Sequence, residues 1–132
     1  MRTTALLGVA VVAVVAWASS AAAQPLGNHY LCHKVKDLKQ PAKFAAVTAV
    51  TVVDAVGNFT CDAKKPFYLC NPASKNGSPV IDPDLAYCCY KSKCNPKKVK
   101  VSFDITDQFG GLRLQTKKPF LICNPCSEVP VP

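Results

Sequence analysis

A nine-residue stretch of this chain recurs with seven of its residues unchanged. Lys64-Lys65-Pro66-Phe67-Tyr68-Leu69-Cys70-Asn71-Pro72 returns as Lys117-Lys118-Pro119-Phe120-Leu121-Ile122-Cys123-Asn124-Pro125, fifty-three positions later. At the same offset, Asp54-Ala55-Val56-Gly57-Asn58-Phe59 aligns with Asp107-Gln108-Phe109-Gly110-Gly111-Leu112. Further upstream the offset widens to fifty-seven, and Tyr30-Leu31-Cys32-His33-Lys34-Val35-Lys36 meets Tyr87-Cys88-Cys89-Tyr90-Lys91-Ser92-Lys93. Ordered identity at a fixed period marks an internal repeat. One copy spans about 30–72 and the other about 87–125, with a connector at 73–86 and a tail at 126–132. A unit of this size has few strands and little core of its own, so the two copies are expected to share one hydrophobic interior.

The strand signals agree between the copies. Val99, Val101, Phe103 and Ile105 alternate with Lys100, Ser102, Asp104 and Thr106, the period of a half-buried strand. Asp107 to Gly111 turns the chain, and Leu112-Arg113-Leu114-Gln115 alternates again, which predicts a β-hairpin. By alignment, Ala45 to Val53 is the matching strand of the first copy, with Val50, Val52, Phe59 and Cys61 pointing inward. His29 to Lys36 reads as a strand with mixed faces. Pro66 and Pro119 lack an N–H for a ladder and are expected where strands begin. The apolar runs Phe67–Cys70 and Phe120–Cys123 then read as strands covered on both faces. Gly77, Pro79 and Pro83 give residues 73–84 the composition of a connector.

With these motifs in view the chain resembles a family of uncharacterised bacterial secreted domains. They are built on His-Tyr-x-Cys-Tyr-Lys-Val-Lys, Asp-Gln-Phe-Gly and Leu-Cys-Asn-Pro, often in tandem. The matching stretches are His29 to Lys36, Asp107 to Gly110 and Leu69 to Pro72. Ala55-Val56 departs from the Gln-Phe of the motif, and four of the cysteines are additional. The resemblance implies a secreted repeat domain and carries no established activity.

Residues 1–23 read as an export signal: Arg2 in a positive start, an apolar run from Ala5 to Trp17, and Ala21-Ala22-Ala23 before a cut that leaves Gln24 first. The competing reading, an uncleaved anchor, needs about 20 strongly apolar residues; this run is short and alanine-rich. Residues 24–132 then form a single β domain carrying all eight cysteines. The full chain has sixteen Lys and Arg against eight acids, a net charge of +8, which becomes +7 once Arg2 leaves. Eight exported thiols imply four disulfides in an extracellular or periplasmic compartment.

Alignment symmetry suggests the pairing. Cys32 matches Cys89 and Cys70 matches Cys123, so Cys32–Cys70 and Cys89–Cys123 are expected, one per copy. Cys61 stands where the second copy has Leu114, and Cys88 where the first has Leu31. A Cys61–Cys88 bridge between the halves is the expectation, leaving Cys94 with Cys126.

Candidate chemistry is sparse. Cys123-Asn124-Pro125-Cys126 has the spacing of a dithiol redox site, but no helix start follows to lower a thiol pKa. The first copy reads Cys70-Asn71-Pro72-Ala73, which makes a structural role the better reading. His29 and His33 would lie about 13 Å apart along a strand, too far to share an ion, so no metal or cofactor is expected. No nucleophile–base pair can be named, and the chain is read as non-catalytic. Asp54 and Asp107 recur at one hairpin, where turn formation accounts for them. The remaining lead is positive charge: Lys64-Lys65, Lys97-Lys98-Lys100 and Lys117-Lys118 could form a basic face for an acidic surface polymer or an extracellular protein. Nucleic acid is not expected of an exported chain with one arginine, nor is a membrane anchor after cleavage.

The sequence thus predicts an all-β, disulfide-stapled fold. It is a small sandwich or barrel of two duplicated three- to four-stranded units with approximate two-fold symmetry. Its expected role is a secreted structural or binding module. The alternatives are a thiol-disulfide oxidoreductase acting through Cys123 and Cys126, and a disulfide-rich inhibitor presenting the loop Ser74 to Asp84.

Overall fold

The computed structural model describes residues 11–14 and 27–132. The export signal expected over residues 1–23 lies, apart from 11–14, outside the described residues. Seven strands follow one another: β1 (His29–Lys34), β2 (Val47–Val53), β3 (Asn58–Ala73), β4 (Ala86–Asn95), β5 (Ser102–Asp107), β6 (Gly110–Gln115) and β7 (Leu121–Cys126). The fold is all-β, in two sheets with no closed barrel. In the larger sheet the order is β1-β3-β4-β7, and β2 also pairs with β3; β5 and β6 form a separate hairpin.

The two halves pair their strands in the same register. Cys32 faces Cys70 and Leu31 faces Asn71 across β1 and β3; the aligned Cys89 faces Cys123 and Cys88 faces Asn124 across β4 and β7. Val52 faces Phe59 in one hairpin, as Ile105 faces Leu112 in the other. The turns are also built alike, because the aspartate at each start accepts from backbone amides ahead of it. Asp54 Oδ1 takes the Val56 and Gly57 N–H groups at 2.9 and 3.1 Å, and Asp107 Oδ1 takes the Phe109 N–H at 2.8 Å. Gly110, at φ 119°, supplies the conformation that a side chain would resist. The aligned Tyr30 and Tyr87 meet edge to face, with ring centroids 5.2 Å apart.

β3 departs from its counterpart. It runs unbroken for sixteen residues, where the second half divides the same path into β6 and β7. Pro66 therefore does not begin a strand as expected. It sits inside β3 opposite Tyr90, between register shifts at Ala63/Lys65 and Pro66/Tyr68. Such irregularities let a proline, with no N–H to offer, be carried through a paired strand. Pro119 does precede its strand. The first strand closes at Lys34, two residues short of the expected Lys36.

β3 and β4 form the seam between the halves. Their antiparallel pairing sets Cys61 directly opposite Cys94, and these two are bonded. Cys88 is bonded to Cys126. The expected Cys61–Cys88 and Cys94–Cys126 bridges are thus corrected: register across the seam, which alignment of the copies does not specify, joins Cys61 to Cys94, and the pairing of β4 with β7 brings Cys88 to Cys126. Cys32–Cys70 and Cys89–Cys123 form as expected. No cysteine is free, and four disulfides suit a fold kept in an oxidising environment.

The interior is thin and rich in sulfur. Its buried apolar residues are Phe59, Ala63, Ala86 and the half-cystines Cys61, Cys70, Cys89 and Cys94. Phe59, 5 % exposed, clusters with Cys61 and Cys94, while Val52, Val56, Val99 and Ile122 pack around them; both halves contribute. Val50 is half-buried. The second closing run is not covered on both faces as expected: Phe120 is 53 % exposed and Cys123 is exposed, whereas Phe67 to Leu69 are half-buried and Cys70 is buried. β7 lies at an edge of the sheet with only β4 beside it. In the lone hairpin, Phe103 and Ile105 are half-buried and every residue of β6 is exposed.

Candidate functional site: a lysine-lined groove

β4 ends in Lys91-Ser92-Lys93-Cys94. With the strand period of two, Ser92 and Cys94 face the protein while Lys91 and Lys93 project to solvent. The chain then turns through Asn95 and Pro96 into Lys97 and Lys98, both exposed. Further along the chain the Lys118-Pro119-Phe120 segment comes alongside β4, held there by the Ser92 N–H donating to the Phe120 carbonyl at 2.8 Å. Between them lies a groove of about 450 Å³ whose charged lining is Lys91, Lys93, Lys97, Lys98 and Lys118, with Pro119 and Phe120 as its apolar side. No carboxylate lines it.

The cross-strand neighbours of the groove lysines add to this charge at one position and offset it at another. Lys65 on β3 is the direct cross-strand partner of Lys91 on β4, and like charges in that position cost stability. A nearby acid, Asp62, is the direct cross-strand partner of Lys93 and lines an adjoining groove with Lys93 and Lys97. Its carboxylate accepts the Ala49 N–H at 3.1 Å and pairs with Lys64 at 3.3 Å.

Of the lysines singled out in the sequence, Lys97, Lys98 and Lys118 come together here. Lys117 lines an adjoining pocket and Lys64 the neighbouring groove with Asp62; Lys65 enters only as the cross-strand partner of Lys91, and Lys100 lines none of the three. Lys91 and Lys93 were missed as site residues, although their alternation along β4 was legible. What the sequence lacked was the return of residues 118–120 to lie beside them.

The other candidates are dispersed. Cys123 and Cys126 are not bonded to each other; each is held to a different member of the Cys88-Cys89 pair. His29 and His33 both lie on β1, and among the described residues no three His, Cys, Asp or Glu side chains are grouped as metal ligands. The connector is pinned rather than free-standing. Asn28 Oδ1 accepts the Ile81 and Asp82 N–H groups at 2.7 and 3.0 Å, and its amide donates to the Asp82 carbonyl at 2.7 Å. Beside it a cleft of about 470 Å³ gathers the Asp107–Gly110 turn, with Lys75 Nζ 4.3 Å from the Phe109 ring centroid and Gln108 Nε2 3.3 Å from His29 Nε2.

Three carboxylates are held below their ordinary range, all on the surface. Backbone amides of Phe44 and Lys39 lower Asp37, the Ala49 amide and Lys64 lower Asp62, and the Arg113 guanidinium lowers Asp104. A general acid at neutral pH needs the opposite shift. The three act as structural acceptors, and their depressed values fix the sign of the pH dependence. They favour the folded state once ionised, so their contribution is complete above the ordinary value of 3.8 and is lost as pH falls through the lower folded values. The thermal midpoint is expected to be level above about pH 5 and to drop below about pH 4. Asp62→Asn should lower the neutral-pH midpoint and flatten part of that drop. Calorimetry across the range reads both effects.

No protein-family model, no curated protein and no solved structure matched the chain.

Proposed function

We propose that this chain is a non-catalytic extracellular binding module that holds an acidic surface polymer in the lysine-lined groove. Export by the residue 1–23 leader into the medium or periplasm is part of this reading. It is supported by four disulfides and by the motif resemblance to secreted repeat domains. Duplication of one unit is part of it too, supported by the common register of aligned strands.

The observation that carries the proposal is five lysines around one groove with no carboxylate among its lining residues. Side chains gathered this way act as one extended cationic strip, which favours a ligand with repeated negative charge over a single anion. The Lys65–Lys91 juxtaposition is a cost to the free protein that such a ligand would offset.

The test compares two triple variants of equal net charge on an immobilised anionic polysaccharide. Lys91→Glu, Lys97→Glu and Lys118→Glu together are expected to weaken binding roughly a hundredfold, taking about 1 kcal/mol per lysine as at other anionic surfaces. Lys34→Glu, Lys36→Glu and Lys43→Glu, outside the groove, should change it severalfold at most. Wild-type binding should fade between 0.1 and 1 M salt, where the screening length shortens from about 10 to about 3 Å. Equal loss in both triples would reduce the effect to net charge and refute a site. Tighter binding to single-stranded DNA than to the polysaccharide would overturn the choice of ligand.

A further inference from the structure

The groove has a neighbour of different character. The Lys118-Pro119-Phe120 segment that forms one side of it also lines a second pocket, of about 370 Å³. Volumes of roughly 300–1,000 Å³ are those of small-molecule sites. This pocket abuts the small core: Val56, Phe59 and Val99 line it and belong to the apolar cluster.

The polar groups around this pocket have partners within the protein. Asp54, its one acid, accepts the Val56 and Gly57 N–H groups at Oδ1, and only Oδ2 is left without a partner among the described residues. Thr116 Oγ1 donates to the Val99 carbonyl at 2.8 Å and accepts the Val101 N–H at 3.0 Å. What remains for an occupant is mainly hydrocarbon, with Lys117 and Lys118 beside it and the Asp54 Oδ2 as the one acidic atom in the lining. A pocket of this kind rewards apolar surface removed from water, and the lysines at its edge ask for negative charge on the same molecule.

We propose that the pocket binds a monomeric amphipathic anion, its alkyl chain against Val56, Phe59 and Val99 and its anionic head at Lys117 and Lys118. This rests on the anion-binding reading of the adjacent groove and adds the requirement for a chain. The ligand class is then an acidic molecule bearing an acyl or alkyl group.

The probes are hexanoate, octanoate and decanoate, each below its micellar concentration, with octanol as the neutral counterpart, titrated calorimetrically into the oxidised protein. A buried methylene contributes roughly 0.8 kcal/mol, so each added pair is expected to tighten binding on the order of tenfold. Octanol should bind at least tenfold more weakly than octanoate. Lys118→Glu should erase that preference for the carboxylate and keep the dependence on chain length. Methyl resonances of Val56 and Val99 should shift on titration, and those of Val129 and Val131 in the tail should not. An affinity indifferent to chain length, or methyl shifts elsewhere, would overturn the inference. Retention on the anionic polysaccharide separates the two readings: if it survives and depends on the groove lysines while the alkyl series is flat, the amphiphile is refuted and the polymer-binding function stands.

Discussion

Replacing Cys61 and Cys94 together by alanine should leave the protein largely unfolded at 37 °C. The disulfide they form closes a loop of 33 residues, and loop-closure entropy alone assigns it about 4 kcal/mol. A domain of this size has a total stability of only about 5–15 kcal/mol. This bridge also does what the others do not. It joins β3 to β4 across the seam between the halves, and its sulfurs lie against Phe59 in the core, with Cys61 only 2 % exposed. Its loss therefore adds lost packing to lost constraint.

The proper comparison is Cys88→Ala with Cys126→Ala. That bond closes a loop of 38 residues, so the entropic part is nearly the same, but both sulfurs come from residues that are only half-buried. Taking roughly 4–8 °C per kcal/mol for a domain of this size, the Cys88/Cys126 variant should melt on the order of 20 °C below the wild type. The Cys61/Cys94 variant should melt lower still. Near-UV circular dichroism of the tyrosines follows both transitions, since the single tryptophan, Trp17, lies outside residues 24–132. Equal midpoints would mean that the seam bridge contributes nothing beyond loop closure.

Phe59→Ala is expected to cost about 3–5 kcal/mol, the range for truncating a buried aromatic side chain. Among the described residues Phe59 is the one large buried side chain; the other buried ones are alanines and half-cystines. Small buried neighbours leave little that could move into the vacated space, and incomplete collapse is what raises the cost of such truncations. Phe59→Leu should cost under about half as much, because most of the volume is kept. Phe120→Ala serves as the control. Its ring is largely exposed, and the change should cost little stability. Urea unfolding with an unchanged slope would show that stability, rather than the unfolded state, was altered. A Phe59→Ala cost below that of Phe120→Ala would remove Phe59 from the centre of the core.

Local chemistry made much of this fold legible in advance. The alternation at Val99–Thr106, the aspartate-led turns at Asp54 and Asp107, and the matching Cys32/Cys70 and Cys89/Cys123 pairs each depend on residues near in sequence or on the symmetry of two aligned stretches. A period of two fixes which side chains share a face of a strand, and a short loop fixes which strand comes next. The all-β class followed from that information.

What tertiary structure decided was the seam. β3 and β4 meet through pairs such as Thr60–Asn95 and Cys61–Cys94, and nothing local sets that register, since each strand satisfies the same alternation wherever it pairs. A slip there would give every residue a new partner. From the seam came the Cys61–Cys94 bond, the passage of Pro66 through the interior of β3, and the placing of Lys65 opposite Lys91; the pairing of β4 with β7 brought Cys88 to Cys126. The groove needed one thing more, the return of Lys118–Phe120 to the side of β4. Charge was written in the sequence; its concentration at one place depended on contacts between residues far apart in the chain, which only the folded protein brings together.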